Sequence, residues 1–153
     1  MPVPSERLRE LGIELPGVAV PAGSYVPARQ AGSLVFTAGQ LPLVRGTLEA
    51  TGKVGAEVDP DTAHGLARTC ALNALAAIDD LVGLDRVTGV IKVVGFVASA
   101  PGFTGQPAVI NGASNLLAEV FGEAGRHARS AVGVAELPLN APVEVELMVE
   151  VAL

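Results

Sequence analysis

The chain has 153 residues, of which half are hydrophobic, only 3% are aromatic and none is Trp; its net charge is −6 and its isoelectric point lies near 4.8. That length is expected to form one domain, residues 1–153, burying about 68–70% of its unfolded surface without staples, over a core of Val, Leu, Ile and Ala. Ten scattered basic residues disfavour a broad electrostatic grip on nucleic acid. A single cysteine excludes an internal disulfide, and the absence of a Cys-x-x-Cys pair or a glycine-rich phosphate loop points to neither a metal site nor a nucleotide cofactor.

The amino-terminal residues MPVPSERLRELGIELPG contain no apolar run of secretory type, so a cytoplasmic location is the expectation. Ser5 to Leu11 reads as a short helical turn, with Ser5 as N-cap and Gly12 and Pro16 as stops. Residues 17–23 read as loop. Tyr25 to Gln30 and Leu34 to Gln40 read as two strands around Ala31-Gly32-Ser33, a hairpin with glycine at its turn. Leu41 to Gly55 reads as a further short hairpin arm ending in a flexible Thr51-Gly52-Lys53.

Asp59-Pro60-Asp61 announces the clearest helix: an N-cap, a proline suited to the first helical position, and an acidic residue at the positive end of the dipole. Ala63, Leu66, Ala67, Cys70, Ala74, Ile78 and Leu81 form its apolar stripe, and Gly83 ends it. Cys70, inside that stripe, reads as a buried structural thiol, and His64, off it, as solvent-facing.

Val87 to Ser99 is apolar on both faces, as in a strand covered on two sides. Val93 to Ala118 carries no charge, but prolines, glycines and asparagines interrupt it, and a bilayer span needs about 20 mostly apolar residues. A membrane helix is therefore not expected. Instead a second helix is expected from Gln106 to Phe121, with the stripe Val109, Ile110, Ala113, Leu116, Leu117, Val120 and Phe121.

The last stretch organises the rest. From Val143 to Val151 apolar residues alternate with Glu144, Glu146, Met148 and Glu150, which is a strand with one apolar and one mostly acidic face. A weaker alternation covers Ala131 to Ala135, and two prolines between the segments break pairing. Read as a hairpin, this pair brings Arg129 and Glu144 to one end of a sheet. The whole order, strand–strand–helix–strand–helix–strand–strand, makes an α+β two-layer sandwich with two helices on one sheet face. Val90, Val94 and Phe96 beside Glu144 and Glu146 make the other face too apolar for water, so several subunits are expected to pack through it.

In this order, Tyr25-Val26, Val35-Phe36-Thr37-Ala38-Gly39-Gln40-Leu41-Pro42, Val90 to Val97, Ala128-Arg129-Ser130-Ala131-Val132-Gly133-Val134, Leu137-Pro138 and Val143-Glu144-Val145-Glu146 resemble the Rid family, also called YjgF-like or the liver perchloric-acid-soluble protein family. The ordered set covers roughly residues 20 to 151, leaving residues 1–19 as an amino-terminal extension. The resemblance implies a chorismate-mutase-like fold, a homotrimer with clefts between subunits, and a small carboxylate, a 2-imino or 2-keto acid, as the ligand. It implies that Arg129 grips the carboxylate, that Glu144 handles a water, and that Tyr25, Gly39, Asn111 and Ala131 line the cleft. A guanidinium fits the first role because it matches a carboxylate with two parallel hydrogen bonds. No cofactor and no metal are implied. Two positions depart from many family deaminases: Ala38 stands where they have serine before the glycine, and Ala131 where they have cysteine.

Three functions stay open at this point. The first is hydrolysis of reactive 2-imino or enamine acids to 2-keto acids; the second is capture of a small carboxylate without turnover, favoured by the two alanines. The third, ribonuclease or translation inhibition, is disfavoured by the acidic charge. The bland alternative for Arg129 is a surface ion pair with Glu144, contributing about 0–1 kcal/mol.

Overall fold

A computed structural model describes residues 2–153. Its elements are α1 (Pro4–Glu10), β1 (Ala28–Ala31), β2 (Leu34–Thr37), the short arms β3 (Leu43–Val44) and β4 (Thr47–Leu48), α2 (Pro60–Val82), β5 (Val87–Ala98), α3 (Gln106–Phe121), β6 (Ala128–Val134) and β7 (Val143–Val151). Five strands form one sheet in the order β1-β2-β7-β5-β6, and β3 pairs only with β4. β5 and β6 are parallel, joined through α3 as a crossover must be, and the other neighbours are antiparallel. This is the expected two-layer α+β architecture.

One expectation about topology fails. β6 and β7 are not a hairpin, because β5 lies between them. The prolines at 138 and 142 and the left-handed Leu139 and Asn140 carry the chain across β5 instead of folding it back on β6. Alternation alone identified both strands but not their neighbours.

α2 and α3 close one sheet face. The α3 stripe is buried throughout; in α2 the stripe is buried from Ala63 to Ile78, but Leu81 is exposed where the helix runs past its partner. Ile110, Leu116 and Leu117 are fully buried, each contributing about 1.5–3 kcal/mol by leaving water. The two helices meet where Gly112 faces the backbone of His64 so closely that any Cβ at 112 would collide with that carbonyl. His64 is half-buried rather than fully exposed, with its Nδ1 2.9 Å from the Ala108 carbonyl at the start of α3. Cys70 is fully buried, and burial, followed by the nearby Glu144 charge, pushes its thiol pKa well up. The thiol is structural.

Several local expectations shift. The first helix starts at Pro4 with Val3 as its N-cap, because Ser5 is engaged elsewhere: its backbone N–H and its hydroxyl both bond the Asp85 carboxylate, at 2.8 and 2.6 Å. The first strand begins at Ala28, leaving Tyr25 in the preceding bend. Thr51-Gly52-Lys53 is tied down, with Gly52 N–H on the Asn140 carbonyl at 2.9 Å and Lys53 on Glu136 at 3.1 Å.

The other sheet face carries no helix. Phe96, Val94 and Lys92 of β5 stand there in register with Glu144, Glu146 and Met148 of β7, and Phe36 of β2 pairs with Met148. Val90 does not join them; the register shift between Val90 and Lys92 turns it to the helices, where it is buried. Phe36 is 40% exposed and Val132 is 44% exposed. Among the described residues, no helix is long and apolar enough to cross a membrane.

Candidate functional site

The residues singled out by sequence fall into two groups. Arg129, on β6, is in register with Val93 of β5, and Val93 with Leu147 of β7, a row of buried side chains beneath the helices. Its guanidinium accordingly turns toward α3, where Nη1 donates to Asn111 Oδ1 at 2.7 Å and to Ser114 Oγ at 3.2 Å. Asn111 and Ser114 are three residues apart, hence on one helix face. Two side chains thus hold one nitrogen of Arg129 and leave the other N–H donors of its fork unbonded among the described residues. Ala131, the next residue on that face of β6, pairs with Gly95 and packs against the core.

Glu144 belongs to the other group. It is in register with Phe96, three positions along β5 from Val93 and therefore on the opposite, open face. β2 stops at Thr37, whose Oγ1 accepts the Leu147 N–H at 3.0 Å, and the chain re-engages β7 at Gln40 through two hydrogen bonds with Val145, at 2.8 and 3.0 Å. Between these anchors Gly39 is pressed onto Glu144: a Cβ there would stand 2.9 Å from the carboxylate carbon and 3.0 Å from Oε1. Only glycine lets the backbone approach that closely. Tyr25, 49% exposed, shares with Gly39, Gln40 and Leu139 a cavity of about 50 Å³. Its hydroxyl accepts the Ala22 N–H at 3.0 Å, which fixes the ring at the mouth.

Electrostatics separates the groups further. Burial, followed by the like charge of Glu146 two residues on, raises the Glu144 pKa above its usual 4.5. A carboxylate that holds its proton more tightly is a better base than a surface one. His127, beside Arg129, has its pKa lowered from 6.5, chiefly by burial and further by the Arg129 charge, against the pull of the Ala128 carbonyl.

Arg129 and Asn111 therefore come together, as do Glu144 and Gly39, with Tyr25 sharing a cavity with Gly39; Arg129 and Glu144 lie on opposite faces of the sheet. Arg129 and Glu144 form no ion pair. The expectation that one hairpin would juxtapose them is overturned by the intervening β5. Sequence reasoning passed over Ser114, although a polar residue three after Asn111, on the same helix face, was a readable signal. Among the described residues there is no group of three or more His, Cys, Asp or Glu placed to hold a metal ion.

Comparison with known proteins adds the following. A family model described as "YjgF/chorismate mutase-like, putative endoribonuclease" matches residues 5–151. Protein TCP17 of Trypanosoma cruzi is 47% identical over 147 residues, covering 94% of this chain and 91% of that one. A crystal structure of a protein of unknown function from Agrobacterium tumefaciens is 48% identical with a TM-score of 0.89, over 97% of this chain and 92% of that one. Escherichia coli TdcF, solved with bound serine, is 25% identical with a TM-score of 0.61, over 90% and 94%.

Proposed function

Because the chain belongs to the YjgF/chorismate mutase-like family, we propose that it hydrolyses 2-imino or enamine acids to 2-keto acids in a cleft between two copies of itself, within a homotrimer. The observation that carries this reading is the division of the site. Arg129 is held by Asn111 and Ser114 at the sheet edge with donors to spare, while Glu144 stands against Gly39 on the open face. One chain cannot bring both to one small ligand. A second copy laid on the open face brings its own β6 edge toward Glu144, and it also covers Phe36, Val94, Phe96 and Met148.

In that cleft Arg129 binds the ligand carboxylate through the fork nitrogens that Asn111 and Ser114 leave free, which fixes the imine carbon in place. A water held by Glu144 attacks that carbon while Glu144 takes its proton, a task suited to a carboxylate of raised pKa. Glu144 returns that proton to the nitrogen of the resulting carbinolamine, the C–N bond breaks as the hydroxyl oxygen forms the carbonyl, and the hydroxyl proton passes to the departing ammonia. The net change is one iminium acid plus water to one 2-keto acid plus ammonium. A protonated imine is already electrophilic, so this needs neither metal nor cofactor. Tyr25 borders the cleft and excludes solvent. Serine bound to TdcF agrees with a small amino-acid-derived ligand.

A second reading has an observation of its own. Ala38 and Ala131 place no polar side chain beside Gly39 and Arg129, which suits capture of a keto acid without turnover. Imines generated from small 2-amino acids by an amino-acid oxidase, with semicarbazide trapping what remains, separate the two. Hydrolysis predicts less semicarbazone in the presence of the protein; an unchanged yield across several side chains leaves capture alone.

A further inference from the structure

A cavity of about 900 Å³ lies between residues 14–20, the β3–β4 hairpin and α2, away from Arg129 and Glu144. Pockets that hold small ligands run to about 300–1,000 Å³, apolar in the main with a few placed polar groups. Leu15, Val18, Leu43 and Leu72 supply apolar wall here. Four polar side chains interrupt it, Glu14, Arg45, Thr69 and Asn73, of which Thr69 spends its hydroxyl proton on the Gly65 carbonyl at 3.4 Å.

Asn73 is 3% exposed and lines the cavity. Both protons of its Nδ2 are used on the carbonyls of Leu41 and Leu43, each at 3.0 Å, and no donor among the described residues reaches its Oδ1. Among those residues no side-chain oxygen or nitrogen that is shut off from solvent lacks a partner, so Oδ1 keeps an opening, and Asn73 is a wall of the cavity. It is an acceptor waiting for a donor. Glu14 and Arg45 also line the cavity, and neither takes part in any ion pair among the described residues. Arg45 is exposed at the hairpin tip with φ 53, followed by Gly46 with φ 78, and lines the cavity from that turn.

A ligand matching these groups has a carboxylate for Arg45, N–H donors for Asn73 Oδ1 and Glu14, and apolar side chains for the walls. We propose that this groove binds a short apolar peptide through its free C-terminal carboxylate. A fatty acid meets Arg45 and the walls but offers no N–H. A single amino acid offers one ammonium group and leaves most of the volume empty.

The test is calorimetric titration of trileucine into the full-length protein, beside trileucine C-terminal amide and octanoate. Saturable binding of trileucine is expected, weakened at least tenfold in the amide, and tighter than octanoate by a similar factor. Arg45→Asn keeps the turn, because Asn tolerates positive φ, and should lose the same tenfold for trileucine while leaving the amide unaffected. Leu72→Lys, checked for folding by thermal melt, should abolish binding by charging the wall. Arg129→Ala should bind trileucine as wild type does, which keeps this site distinct from the deaminase reading. No saturable binding, equal binding of octanoate, or full affinity in Arg45→Asn would each overturn the proposal. So would loss of trileucine in Arg129→Ala, since the peptide would then lie in the carboxylate cleft.

Discussion

The two faces of the five-stranded sheet treat their polar residues differently. On the helix-covered face Arg129 is built in, with two partners on α3 within 3.2 Å. On the open face Glu144 is pressed against the backbone of Gly39 and faces Glu146 on the same strand, so that its surroundings oppose its charge. One face anchors its polar group by one nitrogen and leaves the rest of the fork open; the other leaves a charge with no cation beside it. Under the proposed function, a ligand that uses both the Arg129 cation and the Glu144 base requires the two faces to meet, which a second copy of the chain would supply.

Breaking the covered face should have the largest effect. Gly112→Ala drives a Cβ into the His64 carbonyl where α2 and α3 touch. Backbone cannot yield as a side-chain tip does, so a loss of about 1–3 kcal/mol or more is expected, read as a lower thermal midpoint. Gly65→Ala is the internal control: it lies in α2 with nothing within 4 Å of its added Cβ. It should stabilise by up to about 1 kcal/mol through helix propensity. Similar effects from both would show that the helices do not approach so closely.

Arg129 and Glu144 should separate in kind. Arg129→Ala leaves the ligand carboxylate unpaired; since each hydrogen bond to a charged group contributes about 1.5–3 kcal/mol, 2-keto-acid affinity should fall at least tenfold in calorimetry. Arg129→Lys should recover only part, lacking the planar fork. Glu144→Gln should keep keto-acid affinity and lose turnover. Equal loss of affinity in both variants would contradict the division of roles.

The smallest effect concerns His127. Its lowered pKa means that charging it costs folding free energy. The associated stability is full above the unfolded value near 6.5 and is lost as pH falls through that value toward the folded one. His127→Gln should therefore flatten the melting temperature against pH below about 6.5. An unchanged slope would remove His127 from the environment of Arg129.

Much of this was legible in the chain, and the reasons differ by element. α3 runs over the expected Gln106–Phe121 and β7 over the expected Val143–Val151, because in each a clean apolar period ends at a breaker: Gly122 for the helix, the proline-flanked loop before the strand. Tyr25 was misplaced in a strand because an aromatic next to Val26 looks extended whether or not a partner strand reaches it. The pairing of β6 and β7 was not legible: alternation reports which face a residue takes within its own strand and says nothing about which strand lies alongside. That gap is what misplaced Arg129 relative to Glu144. The open face was anticipated in outline, although Val90 turned inward because the register shift between Val90 and Lys92 changes its parity, and no periodic pattern announces a shift.

The division of the site is tested most directly by mixing two inactive proteins. Arg129→Ala and Glu144→Gln are combined in equal amounts, dissociated, reassembled and assayed for imine hydrolysis. If Arg129 of one copy works with Glu144 of the next around a closed ring, about a quarter of the clefts in a random mixture join two unaltered residues. Activity should then return to about a quarter of wild type. If each chain carried a whole site, every site in every mixture would hold one altered residue. The reassembled mixture would then be no more active than the parents, contradicting the shared cleft.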